Sequence, residues 1–309
     1  MEAIIQRLIQ KRDLLMNGDD AHKKIRPLLI VCGGAMRGVY GAGSVAALHA
    51  LGLADVFDTV IGISTGAGIA AYFLAGYEQT LLGTTIYYED CSGTRFLKLR
   101  PRPTANVDYL ETVFRNAKKL DTAAITQHRS QFFVGVSDWN TGIHSLLDAK
   151  HAQPDMVTAL KASMAIMPLY RTPVEVNGHL YYDGAISRLL PLSFIDDFLP
   201  TDVLIISNRP ENEWHEKGET ALRKKAILRM LCFGLPHHVR TGVLRLSETQ
   251  YEDVSAFKKL SVNTGVIFAP NVGVDVVTTN ASILRNGAQC AAEETLRVFG
   301  RPDLKVNLI

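Results

Sequence analysis

Gly62-Ile63-Ser64-Thr65-Gly66 sets a serine between two glycines, after the buried-type run 59–63 and before a stretch rich in glycine and alanine. A serine on a sharp strand-to-helix turn is held in strained dihedrals, and small neighbours let the backbone fold that tightly. The following helix N-terminus favours negative charge developing beside the serine oxygen. The spacing therefore makes Ser64 a candidate nucleophile for acyl transfer, with Gly62 and Gly66 as the elbow glycines. The plainer alternative is a packing turn whose serine caps the helix.

Gly33-Gly34-Ala35-Met36-Arg37-Gly38 follows another short apolar run, Leu28-Leu29-Ile30-Val31. A glycine-rich turn of this kind aims several backbone N–H groups one way and can hold a phosphate or the oxyanion of a tetrahedral intermediate. A dinucleotide site fits less well. Ala35 stands where the second glycine of G-x-G-x-x-G belongs, and the next strand ends in the Gly62–Gly66 turn rather than in an acid for a ribose hydroxyl. Tyr181-Tyr182-Asp183-Gly184-Ala185 places a carboxylate at the end of a strand. By itself, Asp-Gly is an ordinary turn.

Together the three motifs resemble the patatin-like phospholipase family, which combines a glycine-rich oxyanion loop, a G-x-S-x-G elbow and a later D-G-G or D-G-A. The stretches Ser137-Asp138-Trp139-Asn140-Thr141-Gly142 and Ala162-Ser163-Met164-Ala165 through Pro168 and Pro173 are similar to the family as well. The resemblance covers about 27–200; 211–309 matches in general character only. It implies a serine lipid acyl hydrolase without metal or cofactor: Ser64 as nucleophile, Asp183 as proton acceptor, and the amides of Gly33, Gly34, Ala35 and Gly38 around the oxyanion, with Arg37 nearby. Ala35 departs from the family's usual glycine, and an alanine does not readily take positive φ. Two alternatives stay open. One is a Ser-His-Asp esterase, since seven of the nine histidines, His237 among them, follow the elbow. The other is a non-catalytic lipid- or nucleotide-binding protein on the same fold.

An aspartate at its usual pKa of ~3.9 is a weak base for a serine hydroxyl. The dyad therefore requires burial of the carboxylate, which raises its basicity.

The elements that must position these groups read as strand, helix, strand, helix with short connections. That pattern argues an α/β fold: a doubly wound, mostly parallel sheet with helices on both faces and helical insertions near 78–125 and 211–260. Strands are expected at 27–32, 59–63, 131–136, 203–207 and 266–270, and a hairpin with an Asn177-Gly178 turn at 174–182. Helices are expected at 39–51, 66–76, 155–167, within 213–260, and at 279–299. Residues 59–77 carry no charge for a spanning length, but their glycines mark a strand, a turn and a buried helix. Residues 1–26 hold an amphipathic helix over 2–16, packed on the domain or lying on a membrane. The catalytic core occupies 27–200, and 201–309 continues the same domain with a helical, partly basic segment.

Composition narrows the function classes. In 309 residues, 47% hydrophobic and 21% charged describe a globular chain, and a net charge of +2 gives no support for a nucleic-acid partner. Cys32, Cys91, Cys232 and Cys290 form no CxxC pair, so no metal centre is expected, and reduced thiols suit a cytoplasmic protein. Charged residues from Glu2 to Asp13 interrupt any signal-peptide core. His237-His238 reads as surface loop. Residues 221–245 hold six Lys and Arg with no acid. They are either a solvated face or an element peripheral to an anionic membrane, and Lys98, Arg100 and Arg102 form a smaller basic loop.

Overall fold

In the computed structural model, which describes residues 1–98, 103–215 and 222–308, the strands in chain order are β1 (Pro27–Val31), β2 (Thr59–Ile63), β3 (Leu97–Lys98), β4 (Thr104–Ala105), β5 (Gln131–Asp138), β6 (His144–Asp148), β7 (Val174–Val176), β8 (His179–Asp183), β9 (Asp202–Ile206) and β10 (Asn263–Ile267). The helices are α1 (Glu2–Met16), α2 (Gly38–Ala50), α3 (Thr65–Leu74), α4 (Tyr77–Thr85), α5 (Val107–Thr112), α6 (Thr122–Gln127), α7 (Met156–Met164), α8 (Glu211–His215), α9 (Leu222–Leu231), α10 (His237–Phe257) and α11 (Ala281–Val298). Arg100 and Arg102 of the expected basic loop lie outside the described residues, as do the side chains of Arg223 and Lys224.

Eight strands make one sheet in the order β10-β9-β1-β2-β5-β8-β7, with β6 also on β5, while β3 and β4 pair separately. The pairs from β10 to β5 are parallel. Those of β5 with β6, β5 with β8 and β7 with β8 are antiparallel. Alternation along the strands divides the core. Leu29, Val31, Val60, Leu204 and Ile206 face α2, α3, α7 and α11. Leu28, Ile30, Ile61, Val203 and Ile205 face Trp214, Val254 and Phe257. Both faces of the parallel part are thus covered, which is why these strands are apolar throughout rather than alternating.

The amphipathic helix α1 turns Ile4 and Leu8 inward. It sits over the amino ends of the strands, where Arg7 Nε meets Asp202 Oδ1 at 2.6 Å and the buried Lys11 Nζ meets Asp58 Oδ2 at 2.5 Å. Among the described residues, no helix is long and apolar enough to cross a membrane.

Four expectations shift. The helix expected to run to Met167 stops at Met164, because the carbonyl of Ala165 leaves the helix to accept the N–H of Asp183 at 3.2 Å. Within the helical region 213–260, of which 216–221 lie outside the described residues, Gly234 at φ 79° and Pro236 separate α9 from α10. His237 and His238 are therefore not a surface loop but the first turn of α10, and His238 Nε2 lies 2.8 Å from the carbonyl of Trp139. The last strand starts earlier than expected, at the polar Asn263, whose Nδ2 reaches Asp202 Oδ1 at 3.1 Å.

Helices α2 and α11 touch backbone to backbone: a Cβ on Gly43 would strike the carbonyl of Ala288. Gly43→Ala gains about 1 kcal/mol of helix propensity but overpacks a rigid contact, at about 1–3 kcal/mol. The expected outcome is a lower urea midpoint with an unchanged slope. An equal or higher midpoint would mean that the two helices separate freely.

Candidate active site

The strand registers bring the serine and the aspartate together. On one edge of β5, β6 pairs from Phe133 to Ser137. The other edge carries β2 up to Ile63 opposite Gly135, and then β8, whose last residue Asp183 lies opposite Val136. The two strands thus run toward each other along one edge and stop at adjacent positions. Ser64 follows β2 directly and falls into the break, with its Oγ donating to Asp183 Oδ2 at 2.7 Å.

Ser64 has φ 56° and ψ −130°, a conformation costing a non-glycine residue about 1–3 kcal/mol. Its surroundings hold it there. Its N–H donates to Ser163 Oγ at 2.9 Å, and Ser163 Oγ donates to the carbonyl of Gly135 at 2.6 Å. A Cβ on Gly66 would strike the carbonyl of Val31, and one on Gly62 would lie 2.5 Å from the Cα of Ala67. These contacts explain the small residues around the serine. The Ser64 side chain makes no cap to α3, so the helix-capping alternative does not describe this structure.

Asp183 is 1% exposed. Burial pushes its carboxyl up to about 7, against the opposing pull of the Ser64 hydroxyl and the Ala185 N–H, which donates to Oδ1 at 2.9 Å. Gly184 follows because a Cβ there would strike the carbonyl of Gly135. Among the described residues, no histidine hydrogen-bonds to Ser64 or Asp183. His144 is buried on β6, its ring held down to about 4 by burial, with Nδ1 3.1 Å from Ser187 Oγ.

The glycine loop passes beside the serine. A Cβ on Gly33 would lie 2.6 Å from Ser64 Cβ and 3.3 Å from its Oγ. Ala35 does take positive φ, 49°, as a 3-10 turn over Ala35–Arg37 leads into α2. The Gly34 backbone around it is fixed from the side: a Cβ there would touch Asn208 at 2.9 Å. Among the described residues, the N–H groups of Gly33, Gly34 and Ala35 have no acceptor. The N–H of Gly38 does: it closes the turn onto Ala35 and Met36. Gly38 is therefore in the loop but is not one of its free donors. A Cβ there would collide with the Tyr87 hydroxyl and Thr65 Oγ1. Arg37 is likewise engaged, with its guanidinium on Glu213 at 2.5 and 3.1 Å.

Two positioning residues carried no role in the sequence reading. Ser163 lies in the stretch Ala162-Ser163-Met164-Ala165 ahead of Pro168, but nothing in that pattern marks it as bonding the elbow. Asn208 donates from Nδ2 to the carbonyl of Cys32 at 2.5 Å and accepts the N–H of Gly41 at 2.8 Å, tying β1 to α2 around the loop. It lies just past β9, on the opposite side of β1 from β2. Ligand sites in open sheets gather at such a change of direction, at the carboxyl ends of the strands.

Beside the loop and the elbow lies an apolar cavity of about 40 Å³, lined by Ala35, Thr65, Gly68, Tyr87, Phe114 and Met164 among others. Among the described residues, no group of His, Cys, Asp and Glu is placed to hold a metal ion.

The family model for patatin-like phospholipases matches residues 29–195, just over half of the 309-residue chain. No curated protein matches the chain. Among solved structures, it is similar to VipD from Legionella pneumophila, at 11% identity and a TM-score of 0.47 over 89% of this chain and 67% of that one.

The buried carboxylate has a stability signature. Its folded-state pKa of about 7 lies above its ordinary 3.8, so the folded state binds the proton more tightly. The group lowers stability progressively as pH rises between these two values and levels off above them. Asp183→Asn removes the charge, so its Tm relative to wild type should climb over that window and then stay constant. A difference that is flat with pH would show that the carboxylate is not buried as described.

Proposed function

The chain belongs to the patatin-like phospholipase family, and on that premise we propose that it is a serine lipid acyl hydrolase that cleaves carboxylic esters through a Ser64–Asp183 dyad. The observation that carries this reading is the direct 2.7 Å bond from Ser64 Oγ to Asp183 Oδ2, made by a serine in a strained backbone conformation.

Asp183 takes the hydroxyl proton as Ser64 Oγ bonds to the ester carbonyl carbon. The carbonyl oxygen becomes an oxyanion held by the N–H groups of Gly33, Gly34 and Ala35, each such donor being worth about 3–4 kcal/mol. Collapse breaks the bond to the leaving alkoxide, which takes the proton from Asp183 and departs as an alcohol. Water then attacks acyl-Ser64, gives its proton to Asp183, and releases a fatty acid as the proton returns to Ser64. A carboxyl near 7 suits both steps, since a base is most effective when its pKa lies near the working pH. A Ser-His-Asp arrangement is not supported: both Asp183 oxygens are already occupied, by Ser64 and the Ala185 N–H. A binding protein without chemistry would have no use for the strained serine.

The cavity beside Ala35 and Thr65 is where the acyl chain would enter. At about 40 Å³ it is narrow. A Cβ on Gly68 would project among its walls, 3.2 Å from Phe114 Cζ and 3.8 Å from Met164 Sδ.

Ser64→Ala and Asp183→Asn should each lower kcat/KM on a soluble p-nitrophenyl ester by several orders of magnitude, with little further loss in the double variant, because the pair acts as one unit. Activity should rise along a single ionisation near 7. It should persist in each of nine single His→Gln variants. A folded histidine variant as inactive as Asp183→Asn would sink the dyad.

Gly68→Ala should shorten the preferred acyl chain. Across a series of p-nitrophenyl esters, acetyl turnover should hold while the longer chains lose kcat/KM. A uniform effect at every length would place the acyl chain elsewhere.

A further inference from the structure

The exposed large apolar side chains are not scattered evenly. Ile227, Met230 and Phe233 are 46%, 68% and 80% exposed along α9 and the turn after it. Ile143, 64% exposed, sits on the β5–β6 turn, whose neighbouring Gly142 packs against His238 at the start of α10. Scattered single apolar residues need no explanation, but a ridge of three at helical spacing, with a fourth on the turn that packs against α10, does.

This ridge lies at the end of the sheet that carries the site. His238 Nε2 bonds the carbonyl of Trp139, just past the carboxyl end of β5. A Cβ on Gly242 would come 2.9 Å from Ile186, in the turn that directly follows Asp183. Arg171 Nη2 donates to the carbonyl of Phe233 at 2.6 Å and so holds the turn that presents the ring.

The charge along α9 and the first turns of α10 has one sign, while Asp138 at the start of the β5–β6 turn is taken up by Asn140 and Thr141. No acid occurs from 221 to 247. Arg245 is paired with Glu248 and Glu252, whereas Lys225, Arg229 and Arg240 have no carboxylate partner among the described residues. An apolar ridge flanked by unpaired cations complements a surface that is apolar at depth and negative at its rim, as an anionic lipid layer is.

We propose that the α9–α10 corner docks the protein on an anionic lipid surface, with Ile227, Met230, Phe233 and Ile143 entering the interface and Lys225, Arg229 and Arg240 meeting the head groups. This rests on the lipid acyl hydrolase reading only in naming the lipid as substrate. The docking itself requires no catalysis.

Binding is measured by co-sedimentation of Ser64→Ala protein with phosphatidylcholine vesicles, with and without phosphatidylglycerol. The protein should prefer the vesicles that contain phosphatidylglycerol. Adding Met230→Ser with Phe233→Ser should weaken binding about tenfold at any salt concentration. Adding Lys225→Gln with Arg229→Gln should weaken it about tenfold at low salt and little at high salt, where screening has already removed the attraction. On the Ser64 background, both pairs should leave kcat/KM on a short soluble ester unchanged. Absence of vesicle binding, or binding indifferent to both pairs, overturns the proposal. So does loss of self-association in place of loss of vesicle binding, which would make the ridge a contact between copies. Failure of the wild type to hydrolyse the soluble ester would count against the hydrolase reading and leave the vesicle result standing.

Discussion

The site depends on two strands ending head to head on one edge of β5. Had β2 continued one residue further as strand, it would have met β8. It turns into α3 instead, and Ser64 occupies the turn at the position where Asp183 ends β8. Parallel and antiparallel pairing therefore coexist on a single edge, and their junction sets the 2.7 Å separation of the two side chains. Neither side chain needs a long reach or a mobile loop to find the other, because each is fixed by the ladder that precedes it.

That junction concentrates unfavourable terms. Ser64 holds a strained backbone, Ala35 sits at positive φ, and a carboxylate is buried. Each is held by backbone-directed contacts from a different element. Ser163 on α7 grips the elbow amide and the β5 carbonyl together. Asn208 bridges β1 and α2 around the glycine loop. Ala185 supplies an N–H to the carboxylate. The glycines act by what they leave out: at Gly33, Gly66 and Gly184 a side chain would collide with the serine or with a strand carbonyl. Strain persists where the surrounding structure over-determines it, and those are the places where it can serve chemistry.

The two ends of the sheet are treated differently. At the amino ends, α1 closes the strands with Arg7 and Lys11 on Asp202 and Asp58. At the carboxyl ends, the Gly33–Ala35 loop, the bonded Ser64 and Asp183, the cavity and the start of α10 are grouped together.

Much of this was legible in the sequence. The buried-type runs 27–32 and 59–63, and the glycine turns after them, identify the parallel sheet and the elbow, because such turns require small residues at fixed positions whatever the rest of the chain does. Asp183 was legible only in company with the other motifs, since Asp-Gly on its own is an ordinary turn. Residues that act through distant partners left no local trace. Asn208 is 176 positions from the carbonyl it holds, and Ser163 is 99 from the amide it holds. The engagement of Gly38 in its own turn, the pairing of Arg37 with Glu213, and the placing of His237-His238 in a helix were equally invisible, because each depends on neighbours that only the folded chain supplies. Spacing along the chain fixed which residues could react. The sharing of one strand edge decided that Ser64 meets a buried aspartate, because pairing across a sheet joins residues without regard to how far apart they lie in sequence.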